Sequence, residues 1–114
     1  MKHSMGLNKA PFEMIKSGKK TIELRLYDDK RRLISIGDEI EFVSKENSSE
    51  RLYCTVKKLH IFDSFEELYT SLPLLKCGYT ESDIATASYT DMDTYYTSEQ
   101  QKEHGVVGIE LELL

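Results

Sequence analysis

Residues Ser17–Asp28 read SGKKTIELRLYD. The apolar residues alternate, which is the period of an extended strand. Ile22, Leu24 and Leu26 share one face, and Thr21, Glu23, Arg25 and Tyr27 share the other. On period alone the first face belongs against a core and the second against water. The second face also carries a pattern, Gly18-x-Lys20-x-x-Glu23-x-Arg25. Two residues apart on a strand, Glu23 and Arg25 project from one face about 7 Å apart along the chain. Lys20 enters from the turn that Gly18 permits, so a cation, a carboxylate and a guanidinium can meet in one small volume. Arginine offers a planar donor fork suited to phosphate or a base edge. Glutamate accepts from amino and imino groups, and a desolvated lysine is a candidate base or nucleophile. The plainer account of the same spacing is an ion-pair network on a solvated strand.

Helix signals precede the stretch. In NKAPFEMIKSG, Asn8 is a candidate cap, Pro11 suits a first turn, Phe12 and Ile15 form an apolar pair, and Gly18 is a left-handed stop. Before it, His3, Met5 and Leu7 alternate as a short strand. The motif strand is expected over Lys20–Tyr27, followed by a charged connection, DDKRRLISIGD. A Gly-Asp turn then leads into a strand with Ile40 and Phe42 inward, and KENSSE makes a polar hairpin loop. In RLYCTVKKLHIF the phase of Leu52, Cys54 and Val56 is opposite to that of Leu59 and Ile61. One extra residue near Lys57–Lys58 repairs the slip, which predicts a β-bulge there. Capping patterns at Ser64–Glu67, Thr80–Asp83 and Thr97–Gln100 predict three helices, the second running to Ala87 and the third stopped by Gly105. Val107, Ile109, Leu111 and Leu113 form a closing strand. The expected order is β-α-β-β-β-α-α-α-β in one domain spanning residues 1–114, of α+β class, with the sheet curled into a barrel and short helices at one end or side.

Composition narrows the function classes. The chain has a net charge of −5, yet residues 1–32 hold nine Lys/Arg against four Asp/Glu, and residues 33–114 hold six against sixteen. That balance argues against bulk nucleic-acid binding and allows local anion contacts. No apolar run approaches the roughly 18 residues of a bilayer span, and the N-terminal MKHSMGLNK lacks a secretory h-region. A cytoplasmic location and no membrane partner are therefore expected. His3, His60, His104, Cys54 and Cys77 lack metal-ligand spacing, so neither a metal nor another cofactor is expected. Cys54 shares the inward phase of its strand and reads as a buried thiol; His60 reads as solvent-facing. Tyr95 and Tyr96 are candidates to stack on a base, or else to fill space against the barrel.

The Gly18–Arg25 pattern after a short helix, the SIGDEIEF turn and strand, and the tail YYTSEQQKEHGVVGIELEL together resemble the ASCH family of small PUA-like β-barrel domains. The resemblance covers nearly the whole chain in element order. It implies a mixed or antiparallel barrel with short helices flanking a cleft, and RNA or a nucleotide-like small molecule as partner. It places Lys20, Glu23 and Arg25 as the polar groups of the cleft and Gly18 as its permissive turn; Thr21 and Tyr96 join them as candidate ligand-binding residues. One similar subfamily hydrolyses the acetyl amide of acetylcytidine with a motif lysine, a threonine two residues before the motif arginine, and a separate glutamate. Lys20 matches, but Glu23 occupies the threonine's place, Thr21 lies elsewhere, and no carboxylate appears around LLKCGYT before Glu81. Three readings follow: a binding module, a small hydrolase in which Lys20 and Glu23 are catalytic, and a partner-binding domain whose motif is structural.

Overall fold

The computed structural model describes residues Met1 to Leu114. Five strands form one curled sheet: β1 (Lys2–Leu7), β2 (Ile22–Leu26), β3 (Glu39–Ser44), β4 (Arg51–Phe62) and β5 (Val106–Leu113). Their order across the sheet is β1-β3-β4-β5-β2; β1 runs parallel to β3 and the other neighbours are antiparallel. The sheet is a half-barrel, with β1 and β2 as its two edges. Four short helices flank it: α1 (Lys9–Lys16), α2 (Asp29–Arg32), α3 (Phe65–Ser71) and α4 (Ser98–His104).

Local chemistry explains the elements around the site. Helix α1 ends where Gly18, at φ 81°, reverses the chain, with the Gly18 and Lys19 N–H groups donating to Ile15 and Met14 carbonyls. That is a glycine-terminated Schellman stop, and it releases Lys20 directly into the next strand. The bulge in β4 falls between Val56 and Lys58, where the pairing with β5 shifts by one residue. It lets Val56 and Leu59 both serve the inside of the curl. Helix α4 opens with a reciprocal capping box between Thr97 and Gln100 and stops at Gly105, at φ 70°.

The apolar residues divide into two clusters. The first fills the concavity of the sheet and is closed by α1: Ile40, Phe42, Cys54, Val56, Val107 and Ile109 are its most buried members. The second lies on the other side of β2 and β5, under α3 and the segment that follows it. It contains Ile22, Leu24, Leu26, Phe65, Leu68, Cys77, Met92 and Val106. Gly108 makes this close approach possible, since a Cβ there would stand 2.7 Å from a Leu72 methyl and 3.2 Å from Ile22 Cγ2.

Strand β2 is therefore inverted relative to β3 and β5. In β3 and β5 the main apolar face points into the half-barrel. In β2 the apolar face points outward into the second cluster. The register sets Glu23 opposite Ile109 and Arg25 opposite Val107, on the inner face. The face that alternation assigns to water is the one turned into the concavity.

Several boundaries differ from the sequence reading. Regular strand in β2 covers Ile22–Leu26, not Lys20–Tyr27. The charged connection holds the one-turn helix α2, capped by the Asp28 side chain accepting from the Arg31 N–H. The helix expected from Thr80–Asp83 is only a 3-10 turn at Ile84–Thr86, flanked by further 3-10 turns at Leu74–Lys76 and Tyr89–Thr94. Stretches rich in Ser, Thr and Asp offer the backbone side-chain acceptors that compete with longer helices. Leu113 ends β5 exposed: β4 still pairs with it at Cys54, but β2 stops opposite Glu110.

Candidate functional site

Lys20, Glu23 and Arg25 form one buried ionic cluster. Glu23 Oε1 lies 3.0 Å from Lys20 Nζ, and Glu23 Oε2 lies 2.7 Å from Arg25 Nε. Their side chains are 9%, 6% and 15% exposed, too little for a solvated strand face. The two cations also reach outward from the cluster. Lys20 Nζ donates to the Cys77 carbonyl at 3.1 Å, and Arg25 Nη2 donates to the Gly6 carbonyl at 3.0 Å. Since Gly6 is on β1 and Arg25 on β2, one guanidinium bridges the two edges of the half-barrel. Lys20 similarly fastens the irregular segment after α3 to the sheet. Gly78, at φ 114°, sits against the lysine; a Cβ there would be 3.4 Å from Nζ.

The electrostatics follow from this packing. Burial pushes the Glu23 carboxyl pKa up. The charges of Lys20 and Arg25 and their hydrogen bonds outweigh that and hold it below its ordinary 4.5. A carboxylate with a depressed folded-state pKa contributes stability above its unfolded value, and that contribution is lost as pH falls through the folded value. Acid unfolding of the wild type is therefore expected to include a component beginning below about pH 4.5. Circular dichroism against pH tests this: Glu23→Gln should flatten that component, and an unchanged acid slope would contradict it.

The cluster forms the floor of a cleft of about 530 Å³, within the size range of small-molecule sites. Leu7, Asn8, Pro11 and Met14, at the end of β1 and on α1, form one wall. Cys77 to Tyr79, Asp83, Asp91, Met92 and Thr94 to Tyr96 contribute the other. On that second wall the Tyr69 and Tyr79 hydroxyls are 2.7 Å apart, and Tyr79 donates to Asp91 Oδ2 at 2.7 Å. Burial and these two partners raise the Tyr79 phenol pKa well above the usual range, whereas hydrogen bonds from Tyr79 and the Ser88 N–H hold Asp91 low. Tyr96 lies nearly parallel to Phe65, with ring centroids 6.1 Å apart.

Of the sequence candidates, Lys20, Glu23, Arg25, Tyr95 and Tyr96 line the cleft together. Gly18 and Thr21 do not. Gly18 is an exposed turn, and the Thr21 backbone is spent on Lys76 and Leu111. Tyr69, Tyr79, Asp83 and Asp91 line the cleft without having been singled out from sequence. Tyr69 is on α3, whose cap the sequence shows, but Tyr79, Asp83 and Asp91 come from a segment without regular periodicity, marked only by the Thr80–Asp83 and Ser88–Asp91 capping spacings. His60 is partly buried and bonds to Glu110 at 3.0 Å. Cys77 also lines the cleft, and burial raises its thiol pKa to about 11, so it is not a reactive thiolate. Cys54, wholly buried in the first cluster, is raised to about 11 by the same cause. No group of three or more His, Cys, Asp or Glu side chains is placed to hold a metal ion, and no helix is long and apolar enough to cross a membrane.

Comparison with known proteins gives a consistent picture. The ASCH domain family model matches residues 5–114. The crystal structure of hypothetical protein PH0355 is similar over 100% of both chains, at 34% identity and a TM-score of 0.80. The solution structure of protein PF0455 from Pyrococcus furiosus is similar over 100% of this chain and 98% of that one, at 36% identity and a TM-score of 0.76. A point mutant of ZmASCH from Zymomonas mobilis shares the fold over 96% of this chain and 67% of its own, at 14% identity and a TM-score of 0.62. Among curated proteins, none matches the chain. With its family model spanning all but the first four residues and two full-length neighbours above 30% identity, the chain belongs to the ASCH domain family.

Proposed function

We propose that this domain is a binding module whose cleft takes a nucleobase or modified nucleoside, free or presented by single-stranded RNA. The observation that carries the reading is the inverted strand. Burying a lysine, a glutamate and an arginine where β3 and β5 place valine, isoleucine and phenylalanine is costly for folding alone. The cost is understandable if the cluster serves a ligand. Both carboxylate oxygens of Glu23 are engaged by the cations, so the floor offers chiefly donors. Arg25 Nη1 donates to no protein group, and Lys20 Nζ has one of its three N–H groups to spare. Base carbonyls and ring nitrogens match such donors, and Tyr96 and Met92 offer apolar surface for a flat ring.

A hydrolase reading fits less well. Glu23 is held ionised by two cations, Lys20 is tied to it, and Thr21 is outside the cleft, so the floor has no activated hydroxyl. The two classes separate in one experiment. The protein and Lys20→Ala are incubated with acetylcytidine, product is followed by chromatography, and nucleoside binding is measured by calorimetry. Binding without product, lost in Lys20→Ala, is the expected result. Release of cytidine that disappears in Lys20→Ala would overturn the binding-only reading.

A further inference from the structure

We propose that Asp91, aimed by Tyr79, is the specificity residue of the cleft, reading an amino group on an uncharged ligand whose acceptor side faces Arg25 and Lys20. The inference rests on the cleft being a base-binding site and adds the chemistry that it selects.

Three cations (Lys20, Arg25, Lys45) and three carboxylates (Glu23, Asp83, Asp91) line the cleft, so their charges cancel. They are also segregated. The cations are carried by β2, the turn before it and the residue that follows β3, with Glu23 enclosed between Lys20 and Arg25. Asp83 and Asp91 belong to the facing wall. One side of the cleft is left with spare N–H donors and the other with spare carboxylate oxygens. A ligand spanning both sides needs an acceptor at one end and a donor at the other, with little net charge.

Asp91 is the better fixed of the two acceptors. Its Oδ2 accepts from the Tyr79 hydroxyl at 2.7 Å and from the Ser88 N–H at 3.2 Å. Tyr79 is itself held by Tyr69, on α3. The phenol chain orients the carboxylate and leaves Oδ1 without a protein partner. The backbone links this wall to the floor: Cys77 accepts from Lys20, Gly78 lies against Nζ, and Tyr79 follows immediately. Both ends of the cleft are thus held in fixed relation by three consecutive residues. An added phosphate would bring two negative charges into a cleft whose own charges already cancel, so the carboxylates offset what it gains from the cations.

Calorimetry with two matched pairs, cytidine against uridine and adenosine against inosine, tests the donor requirement; each nucleoside against its 5′-monophosphate tests the charge requirement. The wild type is expected to prefer the amino-bearing member of at least one pair by tenfold or more. It should gain less than threefold from a phosphate. Asp91→Asn should erase the amino preference, and Tyr79→Phe, which keeps the ring and removes the orienting hydroxyl, should reduce it. A tenfold gain from the phosphate, or an amino preference unchanged in Asp91→Asn, would overturn the inference and leave base binding standing. Wild-type indifference within both pairs would also overturn it. Failure of every nucleoside and nucleotide to bind would sink the base-binding reading itself, and the inference with it.

Discussion

Glu23→Ala is expected to destabilise the domain by about 3–5 kcal/mol, the usual cost of leaving buried charge uncompensated. Stability in most domains is only about 5–15 kcal/mol, so this variant should be near the limit of folding. The reason is specific to the cluster. Lys20 and Arg25 would keep their burial and lose the carboxylate that pairs with both at 3.0 and 2.7 Å. Urea unfolding followed by circular dichroism measures the loss. The combined replacement Lys20→Met, Glu23→Leu, Arg25→Met should cost less than Glu23→Ala alone, because it removes the charges together. It should also abolish ligand binding. A Glu23→Ala variant within about 1 kcal/mol of wild type would show the cluster to be solvated, as exposed ion pairs contribute no more than that.

Arg25→Lys is expected to weaken nucleoside binding by roughly 10- to 100-fold while the domain still folds, the equivalent of one hydrogen bond to a charged group. Lysine conserves the charge, but a single ammonium cannot hold the Glu23 carboxylate from Nε, hold the Gly6 carbonyl from Nη2 and present a further donor to the cleft. The change also loosens the bridge between β1 and β2, so a smaller loss of stability, about 1–2 kcal/mol, should accompany it. Calorimetry and urea unfolding on the same preparation separate the two effects. Wild-type affinity in Arg25→Lys would mean that a point charge suffices and the guanidinium geometry is not what reads the ligand.

Much of this architecture was legible from residue order. The glycine stop of α1, the inward Ile40 and Phe42, the bulge between Val56 and Lys58, the Thr97–Gln100 cap and the closing strand all follow from short-range chemistry. The curled sheet of the ASCH fold agrees with them. What local pattern could not supply was direction. Alternation separates the two faces of β2, but both are covered in the fold, and only the pairing with β5 shows that the charged one turns inward. The second wall was less legible still. Tyr79 and Asp91 are twelve residues apart, joined through 3-10 turns that impose no apolar period, and their hydrogen bond is a product of tertiary packing. Gly18 is the opposite case: its turn is clear from sequence, and its role is to deliver Lys20 into the cleft rather than to line it.

The inward charged face of β2 as a ligand floor is tested most directly by titrating the isotopically labelled protein with nucleosides and following its amide and arginine Nε resonances. Shifts should concentrate at Asn8, Arg25 Nε, Cys77, Gly78 and Tyr96, and leave Tyr53, Lys57 and Glu112, on β4 and β5 away from the cleft, in place. Saturating shifts confined to those distant residues, or no shifts with any nucleoside, would contradict it.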